Sequence, residues 1–391
     1  MNNHDLHLLA CATQGNGGDD EARLRELVSG FHYALANFSK KEKRTAAKAL
    51  IAQLRSREYD LLVLEGTGFV GGIAAILGRK LWGVPYVVSS GDAVGPFLSA
   101  RHPLGEPVFR MYEKMLCANA SGFIGWTPYL VGRALTFGTA RGITIPGWAP
   151  FERSREELDR SRRKIRRQLG ILEDTVVFGM VGSLNWSARY GYCYGAELVR
   201  AVRRARGKAI VVVVGDGSGL GKLREMAGGA LGRTVYLPGR VSREEVPAWL
   251  AAMDVGSIPQ SVDGVGSFRY TTKLSEYMAA RLPFISNQIP MAYDLDESNL
   301  WRLPGQSPWD PVFIRALTAL MDQLTPAEIT ARRQRLGTQM IFDRHSQIAR
   351  VTAFLREVVE AEKTAKAALV HTAPSDRTPH WDTSREHQRR G

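Results

Sequence analysis

Ile210-Val211-Val212-Val213-Val214 runs without a break into Gly215-Asp216-Gly217-Ser218-Gly219-Leu220-Gly221. The β-branched run reads as a strand, and the glycine-rich run as the tight turn that ends it. Outward from this point the alternation repeats. Val176–Val181, Val235–Leu237, Val255–Ile258 and Pro283–Ser286 read as strands, separated by the helical stretches Ala196–Arg206, Lys222–Ala227, Arg243–Met253 and Thr272–Ala280. The first half follows the same rule. Leu6–Ala12, Asp60–Leu64, Pro85–Ser89, Gly122–Trp126 and Gly142–Ile145 read as strands, with helices predicted over Asp20–Tyr33, residues 40–57, Ile73–Leu81 and Val108–Ala118. Strand-then-helix alternation implies a parallel, doubly wound sheet, here occurring twice.

The turn-rich stretch Pro146-Gly147-Trp148-Ala149-Pro150 divides the two units. The expected organisation is an α/β chain of two doubly wound Rossmann-like domains facing across a cleft. Its parts are a first domain at 1–150, a charged linker helix at 151–172, a second domain at 173–345, a closing helix at 346–370 and a disordered polar tail at 371–391. Ligands bind at the carboxyl ends of strands in such sheets. Chemistry is therefore sought in the loops after each strand.

The chain has 391 residues, 44% of them apolar, which suits about two to three domains of 100–200 residues. Its 52 basic and 39 acidic residues leave a net charge of +13, which implies a polyanionic or membrane-surface partner. Cys11, Cys117 and Cys193 lie far apart, with neither metal-ligand nor redox spacing. A reducing, cytoplasmic setting is expected. Phe69–Gly78 reaches only about half the ~20 residues of a membrane span. Leu8-Leu9-Ala10-Cys11 looks like a lipoprotein cleavage site, but no basic residue or apolar h-region precedes it, so it reads as a buried first strand.

Three loops can carry chemistry. Gly215–Gly221 fails the G-x-G-x-x-G spacing from either starting glycine, which leaves a tight turn near a ligand rather than a dinucleotide site. Thr271-Thr272-Lys273 precedes a helix-forming run, where free N–H groups and a lysine favour a phosphate. Glu276, one turn in, can accept two hydrogen bonds from a vicinal diol; otherwise it and Lys273 are solvated helix residues. Gly182-Ser183-Leu184-Asn185-Trp186-Ser187-Ala188-Arg189 enters another helix. Arg189 there can clamp a diphosphate or form a surface ion pair.

Taken in order and spacing, Val181-Gly182-Ser183-Leu184, Val214-Gly215-Asp216-Gly217, Val235–Val241, Glu245–Leu250, Asp254–Pro259 and Lys273–Pro283 resemble the nucleotide-sugar domain of GT-B glycosyltransferases of the retaining family 4 type. The first half is similar more loosely, at Gly17-Gly18, Gly83–Val88, Asp92 and Ile145-Pro146-Gly147. The resemblance implies transfer from a nucleoside diphosphate sugar, with UDP or GDP as its nucleotide, to a glycan, lipid-linked or small-molecule acceptor. Retention, no metal, no cofactor beyond the co-substrate, and a place in cell-envelope or exopolysaccharide synthesis are also implied. By the resemblance Glu276 holds the ribose. Arg240 and Val241 meet the base. Ser183, Gly215, Thr271, Thr272, Lys273 and Arg189 hold the diphosphate. Gly17 lets the backbone approach the donor, and Asp92 contacts sugar hydroxyls or merely caps a loop.

The departures are specific. Ser183 stands where the family has arginine, and Arg189 lies one position beyond the second basic residue. Phe268 replaces the first acid of a Glu-x7-Glu pair, leaving Asp263 or no acid at all in its role, and Gly91 replaces a histidine. A nucleotide-sugar epimerase, or a degenerate binding protein of the same fold, are the alternatives.

Residues 40–57 carry seven basic residues against one acid on an apolar-bearing helix, which suits the anionic inner face of a membrane. The linker helix carries eight basic and four acidic residues between Glu152 and Gln168. Arg155, Arg162 and Arg166 alternate there with acids, as on an exposed, self-paired helix. Without interleaved aromatics, a nucleic-acid partner is not expected.

Overall fold

The computed structural model describes residues 6–39, 41–100, 102–269, 271–294, 300–336 and 342–372. Two six-stranded parallel sheets follow one another along the chain. The first half runs β1 (His7–Ala12), α1 (Asp19–Leu27), β2 (His32–Leu35), α2 (Lys43–Ser56), β3 (Leu61–Glu65), α3 (Phe69–Trp82), β4 (Tyr86–Ser90), α4 (Val94–Ser99), α5 (Glu106–Ala118), β5 (Gly122–Gly125), α6 (Pro128–Thr136) and β6 (Gly142–Thr144). The second runs α7 (Arg155–Leu169), β7 (Val177–Val181), α8 (Ala196–Val202), β8 (Ile210–Val214), α9 (Leu220–Ala227), β9 (Val235–Gly239), α10 (Val246–Ala252), β10 (Val255–Ile258), α11 (Lys273–Ala279), β11 (Phe284–Asn287), α12 (Met291–Asp294) and β12 (Leu300–Leu303). Then follow α13 (Pro311–Gln323), α14 (Pro326–Arg335) and α15 (Arg344–Thr372). Strand orders are β2-β1-β3-β4-β5-β6 and β12-β11-β10-β7-β8-β9. The doubly wound pair expected from the alternation is therefore the fold.

The strands are apolar throughout because both faces of each sheet are covered. In β8, Val211 and Val213 enter one core and Val212 and Val214 the other, as the two-residue period of a strand requires. In the first domain α2, α3, α5 and α6 cover one face, and α1 and α15 the other. Thus the last helix of the chain returns to the first domain, where Val351, Phe354 and Leu355 pack on Leu8, Ala10 and Val63. Gln347 fixes the return by exchanging two hydrogen bonds with the Gly147 backbone, at 2.8 and 2.5 Å.

Three sequence expectations are corrected. The first helix stops at Leu27, and His32–Leu35 forms the edge strand β2, whose half-buried residues carry no clear period. The basic helix at 40–57 spans Lys43–Ser56. Its Leu50 and Leu54 are consumed by the core against α3, so beside its charge the apolar surface it exposes is only Ala49, Ala52 and parts of Ala47 and Ile51. The linker helix is not self-paired. Arg166 is fully buried and donates to Asp254 and to the carbonyls of Ala252, Leu172, Glu173 and Thr175. Arg162 reaches the other Asp254 oxygen at 2.9 Å, and Arg333 of α14 lies 3.5 Å from it. A sequence-local reading pairs these arginines with neighbours on the helix; folding pairs them with one aspartate 88 residues from Arg166. Most of the expected tail, residues 373–391, lies outside the described residues.

Candidate functional site

The carboxyl ends of the two sheets face each other, and two cavities occupy the cleft. The larger, about 700 Å³, is lined from the first domain by Thr13, Gln14, Glu65, Phe69 and Asp92, and from the second by Tyr194, Gln260, Arg269 and Thr271. The smaller, about 270 Å³, is lined by Asp19, Arg23, Trp148, Arg243, Ser275 and Glu276. Asp20, Trp126 and Thr272 border both, so Thr272 marks the junction.

Lys273 begins α11, immediately beyond that junction. Its Nζ lies 4.9 Å from the Tyr194 ring centroid and 3.0 Å from where a side chain on Gly182 would begin. A side chain at 182 would therefore have to push this lysine's end aside. Burial pushes the ammonium below its ordinary value and Arg269 adds to this, while Glu276 and Glu197 oppose it. No carboxylate lies within 4.0 Å of it among the described residues. Thr272 is already helical and makes no cap bond, and Thr271 Oγ1 accepts from the Lys273 N–H at 3.4 Å.

Glu276, one turn on, turns into the smaller cavity. Burial raises its carboxyl to about 7, with Lys273 opposing and Asp19 adding. Asp19 is itself paired with Arg243 across the rim.

Gly182 and Ser183 lead the loop above Lys273, with Ser183 exposed. Gly215 supports that loop from behind. Its φ is +146°, and a side chain there would begin 1.9 Å from the Gly182 carbonyl oxygen. The two glycine-bearing loops are then stitched together by Leu184 N–H to Asp216 O at 2.9 Å and Gly219 N–H to Leu184 O at 2.7 Å. The glycine run thus serves close packing of loop on loop.

The remaining expected residues are distributed around the site. Asp92 lines the larger cavity, but its carboxylate receives Arg269 at 2.8 Å, tying one domain to the other. Arg189 sits on the exposed turn between the paired Ser187 and Tyr192 and donates to Ala100 O of the first domain at 3.2 Å; it lines neither cavity. Arg240 is exposed and Val241 half-buried beyond β9, also outside both cavities, and Arg243 reaches the cleft instead. Gly17 is exposed, its N–H held by Glu21 at 2.7 Å. Asp263 accepts from the N–H groups of Val265 and Gly266, both at 2.8 Å, as the organiser of a turn. Phe268 packs into the first domain's core, and its carbonyl accepts from Thr127 Oγ1 at 3.2 Å. Asp294, the first acid of the Asp294-Leu295-Asp296 spacing, lines neither cavity and accepts from Tyr129 OH at 2.5 Å.

Two cavity residues escape a reading of the sequence. Arg269 has no motif, because its role depends on Asp92, 177 residues away. Glu65 ends β3 fully within the wall of the larger cavity, and Arg23 Nε faces its Oε2 at 3.6 Å, beyond hydrogen-bond length. Burial raises its carboxyl to about 7, with Arg23 and Ser89 opposing and Asp20 adding. A charged residue closing an otherwise apolar strand was the available signal.

The raised value has a stability consequence. Folded Glu65 holds its proton up to about pH 7, whereas the unfolded group releases it near 4.5. Its contribution is full below 4.5 and lost as pH rises through about 7. Glu65→Gln should therefore raise the melting temperature more at about pH 8 than at about pH 6. An equal effect at both values would show that Glu65 does not titrate there.

Residues 175–320 match the family model described as glycosyl transferases group 1. Among solved structures, the fold resembles Anabaena HepE in complex with UDP-glucose, at 16% identity and TM-score 0.63, covering 90% of this chain and 100% of that one. It resembles sucrose-phosphate synthase of Thermosynechococcus elongatus, at 14% identity and TM-score 0.66, over 91% and 100%. It also resembles WaaG, a glycosyltransferase involved in lipopolysaccharide biosynthesis, at 16% identity and TM-score 0.59, over 88% and 99%. At these identities the likeness is one of fold. No curated protein matches the sequence. The matched stretch contains the Gly182 loop, Lys273 and Glu276.

Proposed function

We propose that the chain moves a sugar from UDP-sugar to a lipid-linked or glycan acceptor, with retention and without metal, at the cytoplasmic face of a membrane in cell-envelope glycan synthesis. One arrangement carries this reading. Lys273 lies under the Gly182-Ser183 loop beside the larger cavity, and Glu276 faces the smaller one, with Thr272 between them. A nucleotide laid across that junction puts its ribose at Glu276, its diphosphate at Lys273 and its sugar in the larger cavity. UDP-glucose in HepE and the role of WaaG in lipopolysaccharide biosynthesis support the choice of donor and pathway class.

The reaction turns on the leaving group. As the glycosidic bond breaks, positive charge grows at the sugar carbon and negative charge at the diphosphate. A fixed cation in a site of low dielectric stabilises the second without reorganising. Lys273 is such a cation. A leaving phosphate oxygen then takes the acceptor proton on the same face, giving retention.

Glu65 favours a second reading. A carboxyl raised to about 7 in the wall of the larger cavity is suited to general-base activation of an acceptor hydroxyl, which would give inversion. The anomeric configuration of the product decides between them. Glu65→Gln should preserve at least about a tenth of the rate if retention holds, and lose the 10²–10⁴-fold typical of a general base if inversion holds.

The donor reading is tested by UDP binding. Glu276→Ala should weaken UDP about 10–100-fold, the value of hydrogen bonds to a charged acceptor. In the native protein, affinity should rise as pH passes upward through about 7, where the carboxylate forms. Glu276→Gln should flatten that profile. Undiminished UDP affinity in the Ala variant would remove Glu276 from the site.

A further inference from the structure

Fourteen large apolar side chains are exposed among the described residues, and eight of them lie on one face of the first domain. On α3 they are Phe69, Ile73, Leu77 and Leu81, four residues apart, so they form a single stripe. On the neighbouring α5 they are Val108, Met111 and Met115, and Leu104 stands fully exposed in the turn before it. The inward residues of both helices, Ala75, Ile76, Tyr112 and Leu116 among them, already fill the core. Of the outward ones, Phe69 also packs on the Phe109 and Tyr112 rings, which ties the two helices together beneath the stripe. Isolated apolar residues on a surface are ordinary, but a continuous patch marks a contact.

The charge around the patch has one sign. Lys80 on α3 and Arg110 and Lys114 on α5 are exposed within it, against the single exposed acid Glu106. On the other side of α3 packs α2, with Lys48 and Arg55 exposed and its leucines turned inward. An apolar stripe bordered by cations is complementary to an anionic lipid surface, where hydrocarbon takes the stripe and headgroups take the cations. The stripe also has a direction. Phe69 at its end is part of the wall of the larger cavity.

We propose that the α3–α5 face docks on an anionic bilayer, with α2 supplying attraction rather than insertion, and that docking sets the mouth of the larger cavity at the membrane surface. The last clause rests on the glycosyltransferase reading; the docking does not. Sedimentation of the full chain with phosphatidylcholine–phosphatidylglycerol vesicles at low salt is the test. The native protein should bind these and not phosphatidylcholine alone. Leu81→Glu with Met111→Glu should lower binding at least about tenfold, since each substitution forfeits the burial of a large apolar side chain. Lys48→Glu with Arg55→Glu should reduce binding and its salt dependence, and Leu172→Glu, on an exposed turn of the second domain, should leave it unchanged. Melting temperature and UDP-induced thermal shift of each variant keep folding and donor binding in view. The docking is overturned if the native protein fails to bind anionic vesicles, if the Leu81/Met111 variant binds as well as native, or if that variant converts a native dimer to monomer, which would give the face to a second copy. Vesicle binding without any UDP-induced shift would retain the docking and overturn the donor reading instead.

Discussion

Lys273→Ala should lower kcat/KM for sugar transfer, or for donor hydrolysis, by about 10²–10³-fold, with a native melting profile. The magnitude is that of removing one preorganised group aimed at developing charge. The lysine earns it by position. Its carbon stem is buried below Gly182, its ammonium rests beside the Tyr194 ring, and no carboxylate within 4.0 Å among the described residues neutralises it. Arginine should not restore the rate. The ammonium sits where Gly182 lacks a side chain, 3.0 Å from the point at which one would start, and a planar guanidinium is larger than an ammonium. A second consequence separates an electrostatic role from a structural one. Lys273 holds the Glu276 carboxyl below where burial alone would put it. Without the lysine, the pH at which UDP affinity rises should move upward from about 7. A variant that retains activity within about threefold, or an unmoved pH profile, would take Lys273 out of the reaction.

Asp254→Ala should be the most destabilising single substitution outside the apolar cores, by about 3–5 kcal/mol. Asp254 is buried, and one oxygen also accepts from the Val177 N–H at 2.8 Å, at the start of β7. Removing it leaves Arg162, Arg166 and Arg333 facing one another. Burial already pushes Arg333 down to about 10, with Asp254 opposing that and the other two arginines reinforcing it. The loss should appear as a fall of about 6–20 °C in the melting temperature of the second domain. Replacing the buried pair together is different. Asp254→Leu combined with Arg166→Met removes the buried ion pair and keeps apolar volume, so it should recover part of the loss. A loss below about 1 kcal/mol in Asp254→Ala would show that the cluster is solvated, contrary to the burial of Arg166.

The two predictions differ in how far the sequence foreshadows them. Lys273 and Glu276 stand one turn apart beside a pair of threonines, so the pair stands out as a candidate within six consecutive positions. The Asp254 cluster is not. Arg162 and Arg166 read as members of a charged, self-paired helix, because acids flank them at helical spacing. Burial reverses that reading, since a buried guanidinium needs every donor satisfied and the nearby acids of the helix point to water. Short edge elements were missed for a related reason. β2 and β12 have four residues each and are partly exposed, so they show no period to read.

What the sequence determined by itself is whatever is written at short range. It determined the strand-and-helix alternation, hence two parallel sheets, and the glycine-bearing loops at the carboxyl ends of the strands where the cleft lies. It also singled out Lys273 and Glu276 as candidates. Only the tertiary structure decided which of those loops meet. It set Arg269 on Asp92, packed Phe268 against the opposite domain's core, enclosed Glu65, and left Arg189 on an exposed turn outside both cavities. It also turned the basic helix at 40–57 inward along its apolar side and left α3 and α5 to present the exposed apolar stripe. The physical reason is the same in each case. Periodicity is imposed by bonds between neighbouring residues, whereas burial and charge pairing are imposed by side chains 88 or 177 positions away, once the sheets have brought them together.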